Sequence, residues 1–565
     1  MKGKAKRKKK TPEEKLKSDH RKMVRSVFSQ CGFLRAGDLS DKEFIYDGQP
    51  TDFDDVYVYE NILVCLEYTT TTSSKVSDHL KPKKIVYDKI ARSDEDFAVF
   101  YCDLSPTLKG LLLDKYNPSE IKVAIVYCSY FDVSPQLKHN VPNPVYLGYP
   151  ELRYFKNLAD CIRKSAVFEL LEFLRLAEGD VGQDGKIETA RKTESYPGSL
   201  LPESSSNFNK GYKVVSFYAA PKMLLKCAYV LRNDGWRSSY NLYQRMISKT
   251  KIDSTRRYLK QYKRVFVNNI IATLPADCHI IDANGVPVDH SKLNNTKAVE
   301  IQLPWRMNSI GIIDGQHRTY AYHEAVNDDQ EIGKLRTKQN LLVTGIIYPK
   351  HIPIEEMEKF EARLFLEINS TQTSARSNLR QAIAAILDPF SVESIATRVL
   401  ESLDRSTGPL GSQIERYFFD KNKLKSTSIV SYALKPLVKT TGIDSLFFLW
   451  EDADKGNMVL TSNYTMLDRY VAFCTSQINM ILSAAKSRVD AQKWTTDKSV
   501  DGHMLNTTTI NSLLICLRLL IGQGKASGFD YYRQQMAGLD AFQFKQYHSS
   551  QYKQLANKLF ETYFG

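Results

Sequence analysis

Residues 310–326 read IGIIDGQHRTYAYHEAV: an apolar stretch reaches Asp314-Gly315 and passes into a helical pattern with Tyr320, Ala321, Ala325 and Val326 on its inner side. A strand that ends in a tight turn and starts a helix suits anion binding. Gly315 lets backbone approach a ligand without a Cβ, and the first helical N–H groups point at it. Arg318 can add a bidentate contact to phosphate, and His317 can donate, accept or titrate. Asp314 can cap the helix or hold the water shell of a metal that accompanies a nucleotide. A capped turn with no ligand uses the same residues, and the pattern alone leaves both readings open. Asn369, with Ser370, Thr371, Gln372, Thr373, Arg376 and Arg380 behind it, could complete a polar pocket; capping and turn chemistry explains that run equally.

A second group lies near the N-terminus, where TDFDDVYVY and ENILVCLEYT precede a Lys-bearing helical stretch. This layout resembles the restriction-endonuclease-like family. The resemblance implies an Asp at the start of one strand and a Glu-x-Lys on the next, which bind magnesium and align water for phosphodiester hydrolysis. Asp55, or Asp54, stands at the Asp position and Glu67 at the Glu. Thr69 occupies the Lys position and cannot supply a cation, so activity requires a displaced lysine such as Lys75, Lys81 or Lys84. A strand-end carboxylate beside an acidic turn is the bland alternative.

A third group is basic and aromatic. From Arg237 to Arg264 there are nine Lys or Arg (Arg237, Arg245, Lys249, Lys251, Arg256, Arg257, Lys260, Lys263, Arg264) and one acid, Asp253, interleaved with Tyr240, Tyr243, Tyr258 and Tyr262. Such a helix could track DNA phosphates and stack rings on bases. A solvated helix face with tyrosines turned inward is the competing reading.

Asp314 to Arg318 also spell the name-giving motif of the DGQHR domain, and the chain resembles that family and its DndB-like members. Upstream, YQRMISKTKIDSTRRYLKQY followed by NNIIATLP resembles the family's helix and Asn-bearing strand. Downstream, FEARLFLEINSTQTSARSNL resembles its Phe-x-x-Ile-Asn segment. The resemblance covers about Tyr212 to Phe390. It implies a fold similar to ParB and sulfiredoxin nucleotide-binding domains, with Asp314, Gly315, Gln316, His317, Arg318 and Asn369 around a nucleoside triphosphate. It also implies a role on DNA in a modification or phage-defence system, as regulator or accessory factor, with other proteins of that system as partners. Two enzymatic activities are conceivable: nucleotide hydrolysis at Asp314 and His317, or magnesium-dependent nuclease action at Asp55, Glu67 and Lys75.

The elements that must position these residues form an α/β multidomain chain. The expected divisions are a basic flexible arm (1–22), a restriction-endonuclease-like α/β domain (23–177), an exposed Gly/Ser-rich linker (178–211), the α+β DGQHR domain (212–390) and a helical C-terminal region (391–565). Within the first domain FIYDG, DVYVYENILVCLEYTTTT, DFAVFYCDL and IKVAIVYCSYF read as β-branched and aromatic runs. At 565 residues and 42% hydrophobic the chain can bury several cores. The formal charge of +14 is uneven: residues 1 to 25 hold twelve Lys or Arg against three acids, +9 of the total. That arm suits a polyanion, or merely solubilises. No apolar run approaches the length of a spanning helix, no apolar stretch follows the cationic start, and the nine cysteines form no CxxC pair, so a cytoplasmic protein with reduced thiols is expected.

Overall fold

Thr11 opens the first helix, α1 (Pro12–Gln30), through a capping box: its hydroxyl accepts the Glu14 N–H and the Glu14 carboxylate accepts the Thr11 N–H. The expected arm is therefore helical from Pro12 onward. The computed structural model describes the whole chain except residues 1–9, 73, 183–192, 233–235, 238–243, 305, 373–382, 384–386 and 418. It is a mixed α/β protein with several sheets and a helical C-terminal region.

Strands β1 (Leu34–Arg35), β4 (Asp55–Tyr59), β5 (Ile62–Thr69), β6 (Lys122–Ser129) and β7 (Val145–Leu147) form a five-stranded sheet in that spatial order; β2 (Phe44–Tyr46) and β3 (Gln49–Thr51) make a separate hairpin. The pairs β1–β4 and β4–β5 are antiparallel, whereas β5–β6 and β6–β7 are parallel. Every residue of β4 and β5 is buried, because the alternating side chains of these strands feed two cores. Tyr57, Val64 and Leu66 join Val24 and Phe28 of α1. Val56, Leu63 and Cys65 pack instead with Leu80 of α2 (Val76–Ile90) and Phe97 of α3 (Asp94–Asp103).

The α3 stretch, DFAVFYCDL, was expected to be extended and is helical. Ser93 caps it by accepting the Asp96 N–H, three acids occupy its first turn, and Phe97, Ala98, Tyr101 and Cys102 fall on one buried face. Helices α4 (Tyr149–Ile162) and α5 (Val167–Phe173) follow the first sheet.

The second sheet has eight strands. They run β10 (Ala228–Tyr229), β14 (Ile310–Asp314), β11 (Ile270–Leu274), β15 (Leu341–Ile347), β9 (Lys213–Ala219), β8 (Thr193–Leu200), β13 (Lys297–Pro304) and β12 (His279–Ile281) across the sheet. Strand β8 corrects the expected linker. It pairs with β13 along its whole length, from Thr193↔Pro304 to Leu200↔Lys297. Its glycine reads as flexibility in sequence but is a packing requirement: a Cβ on Gly198 would stand 2.4 Å from the Ser216 carbonyl oxygen. Helices α6 (Lys249–Tyr262), α7 (Gln316–Tyr320) and α8 (Gln330–Lys338) flank this sheet.

The stretches expected as two domains, 23–177 and 212–390, share one continuous core. Val24, Leu66, Phe155, Leu170, Val215, Ile270 and Ile312 all belong to it. The contacts group residues 1–237 and 244–357 as one compact unit, and residues from 358 onward belong to a second. Helix α9 (Ile354–Gln372) begins at that boundary. The second unit is helical, as expected, and its core is lined by α10 (Val392–Arg405), α11 (Tyr464–Lys486), α12 (Thr507–Gly522) and α13 (Tyr552–Tyr563). All nine cysteines are buried and unpaired. Among the described residues no helix is long and apolar enough to cross a membrane.

Candidate functional site

The acids of the first sheet separate by face. Asp55 is fully buried and points toward α1, where Arg25 holds both oxygens (2.7 and 3.0 Å) and Arg35 Nε (2.7 Å), the Ser40 hydroxyl (3.0 Å) and the Tyr68 hydroxyl (2.8 Å) complete its shell. Burial pushes this carboxyl up, but the Arg25 and Tyr68 hydrogen bonds and the charges of Arg25 and Arg35 outweigh it and hold it below the ordinary aspartate value. A carboxylate so saturated with donors has no oxygen left for a cation. Asp55, expected as a metal ligand, is thereby a structural anchor between α1 and the sheet.

Asp54 takes the neighbouring place. Its Oδ2 accepts the Tyr68 N–H at 2.7 Å, and Arg21 lies 3.9 Å from its Oδ1. Burial raises its pKa. Glu67, in β5, is 2% exposed, and burial pushes it up to about 8 against the opposing charge of Lys83. Lys83 Nζ bonds Glu67 Oε1 and also reaches the Asp52 carboxylate and carbonyl, each at 3.0 Å. The lysine that meets Glu67 is thus Lys83 on α2, rather than Lys75, Lys81 or Lys84. Lys75 is the exposed residue that precedes α2, Lys81 is exposed, and Lys84 pairs with Asp88. On the same helix, one turn before Lys83, His79 Nδ1 lies 3.0 Å from the Tyr127 hydroxyl.

A buried carboxylate, Glu67, and a partly exposed one, Asp54, both with raised pKa values, and a cation against the first form a donor set short of positive charge. Hard oxygen donors of this kind fit magnesium. Among the described residues no group of three or more His, Cys, Asp or Glu side chains could hold a metal ion. Asp54 and Glu67 would therefore need water and substrate oxygens to complete the shell, as magnesium commonly requires.

The turn after β14 is braced from within. Gly315 has φ +102°, and a Cβ there would lie 2.5 Å from Ile270 Cδ1. Asp314 Oδ2 and the Asn269 carbonyl both accept from Arg318, at 2.8 Å each. Gln316 accepts from Arg232 Nε and donates to the Arg245 carbonyl, at 3.3 Å each. His317 Nε2 accepts the Ser248 N–H at 3.2 Å; burial, with Lys251, Arg232 and Arg318 nearby, lowers its pKa to about 4, so the ring is neutral near pH 7. Arg232, wholly buried, also meets Glu169 at 2.9 Å and the Tyr154 hydroxyl at 3.2 Å, which ties the turn to α4 and α5. Arg318 Nε and Thr319 Oγ1 are buried without a hydrogen-bond partner among the described residues. Helix α7 spans only five residues, so little macrodipole stands behind the turn. Asn369 lies in α9, where its amide donates to the Phe365 carbonyl at 2.8 Å.

The basic segment divides. Arg237 pairs with Glu169 and Glu172 and lies over the Trp236 ring, Arg256 donates to the Ala321 and His323 carbonyls, and Lys260 pairs with Asp329 at 2.8 Å. Arg245, Arg257, Lys263 and Arg264 are exposed. Tyr243 lies outside the described residues, as do Tyr240, Arg376 and Arg380. No protein-family model, no curated protein and no solved structure matches this chain.

Proposed function

We propose that this chain acts on DNA and that the end of its first sheet is a magnesium-dependent phosphodiester-cleaving centre, with Asp54 and Glu67 as metal ligands and Lys83 as the active-site cation. The observation that carries the reading is Lys83: it comes from α2, yet its ammonium sits on Glu67, where the Thr69 position lacks a charge. The element order supports it as well. Helix α1, then β4, β5 and the Lys-bearing helix α2 keep the order on which the restriction-endonuclease-like resemblance rests, although FIYDG falls in the separate β2–β3 hairpin.

Magnesium, when bound, supplies charge neutralisation at the phosphate and a more acidic water. Glu67, in β5, and Asp54, just before β4, would hold it. Lys83 holds the Glu67 carboxylate and presents a fixed ammonium where negative charge develops on the phosphate oxygens. Supercoiled plasmid with and without magnesium tests this. Cleavage should require the metal and fall at least about a hundred-fold in Glu67→Ala and in Lys83→Met; undiminished cleavage by both variants would refute it.

A second reading rests on the orphaned Arg318 Nε. Its buried, unpartnered donor beside Gly315 favours a nucleotide phosphate at the DGQHR turn, in keeping with a regulatory or accessory role in a modification or defence system. Calorimetry with ATP, GTP and CTP against the full chain and Arg318→Ala tests it: binding that persists in the variant removes the turn from consideration.

A further inference from the structure

From the exposed end of α6 we infer that the chain carries a stacking platform for unpaired DNA bases, separate from the cleaving centre and independent of that reading. Lys263 ends α6 in the left-handed region, φ 52°, and so turns the chain that Arg264 lies back across the helix's last rings. Its guanidinium sits 5.6 Å from the Tyr258 centroid and 5.1 Å from that of Tyr262, and its Nε donates to the Tyr258 hydroxyl at 2.9 Å. Tyr258 and Tyr262 are 4.9 Å apart, and Phe266 stacks on Tyr258 at 5.4 Å and 20°. The rings and the guanidinium thus contact one another directly.

Its outer side is open. Tyr262 is 50% exposed and Val267 88%. Among the described residues no acid pairs with Arg264, in contrast to Lys260, which Asp329 neutralises. Exposed Arg257 adds positive charge near the rings, while Lys263 lies 3.9 Å from the Glu331 carboxylate.

An exposed aromatic face beside cations can take a base on the ring and its phosphate on the lysine or arginine. A duplex cannot use the ring, because its base faces are already stacked on one another. An unpaired strand is therefore the occupant that this chemistry selects, and that it is DNA rests on the proposed action of the chain on DNA.

The test is fluorescence anisotropy of the full chain with labelled oligo-dT of about 15 nucleotides, its blunt duplex and oligo-rU, all with chelator so that no cleavage intervenes. Tyr262→Ala and Arg264→Ala should each weaken oligo-dT binding roughly ten-fold, a loss that one base–aromatic stack supports, while duplex binding shifts by less than about two-fold. Tyr262→Phe should retain affinity, and the indole of Tyr262→Trp should be quenched on adding oligo-dT. Equal losses on single strand and duplex, unchanged oligo-dT affinity in Tyr262→Ala, or no quenching in a folded Tyr262→Trp would overturn the inference; tighter binding of oligo-rU would make the partner RNA and overturn it too. Because no metal is present, failure of the cleaving centre leaves these readouts untouched.

Discussion

Replacing Glu169 with Gln removes a carboxylate charge that the Arg232 and Arg237 guanidiniums share. Glu169 accepts from Arg232 at 2.9 Å, from Trp236 Nε1 at 3.2 Å, from Arg237 at 3.3 Å and from the Tyr154 hydroxyl. Arg232 has no exposed side-chain surface, so water cannot replace the lost charge. Removing one partner of a buried pair costs about 3–5 kcal/mol, chiefly because the other charge is stranded. We expect Glu169→Gln to lose that much in guanidinium unfolding of the first unit. Arg232→Met added to Glu169→Gln should be less destabilised than the two changes summed, with a coupling of about 2 kcal/mol or more. The same variant should loosen the turn, since Arg232 Nε holds Gln316. A loss below about 1 kcal/mol, or strict additivity, would mean that the network is not what holds α5 to the turn.

Gly315→Ala should cost about 2–5 kcal/mol, from ~1–2 for the left-handed backbone and ~1–3 for the clash with Ile270 Cδ1; adding Ile270→Val should recover the steric part, and a neutral Gly315→Ala would contradict the turn geometry. Asp55→Asn should lower the melting temperature yet leave magnesium-dependent cleavage in the folded fraction, whereas Asp54→Asn should abolish cleavage with little change in melting; the reverse pattern would restore Asp55 as ligand. His317 and His323 are held neutral to about 4 and about 3, by burial first and then by nearby Lys and Arg charges. Their unfolded values lie near 6.5, so between pH 6.5 and about 4 the unfolded chain takes up protons that the folded chain refuses, and stability falls as pH falls. Melting temperatures across that window should drop less in a His317→Asn, His323→Gln variant than in the parent; parallel curves would exclude both rings.

The apolar run before the turn was legible because period and composition agree: IGIID is β14, residue for residue. The α3 helix was missed because aromatic and β-branched content outweighed a cap signal, Ser93 with three acids behind it, that was plain in the text. Thr11-Pro12-Glu13-Glu14 carried the same kind of signal in a stretch judged by charge alone. Lys83 could not be singled out from Lys75, Lys81 and Lys84 by spacing, because only the angle between α2 and β5 decides which ammonium meets Glu67. Asp54 and Asp55 are adjacent in a region where alternate residues face opposite ways, so both acids were visible and their division of labour was not. The paired use of Arg256 and Lys260 depends on α8, a partner far along the chain.

The buried thiols make each unit report its own opening. Seven of the nine cysteines, from Cys31 to Cys278, lie in the first unit and two, Cys474 and Cys516, in the second, none with a partner to oxidise against. An alkylating reagent can reach any of them only when the surrounding core parts, so a labelling time course read by peptide mass gives the opening free energy of each unit separately in the intact chain. The chain thus carries an internal gauge of whether DNA or nucleotide tightens one unit without the other.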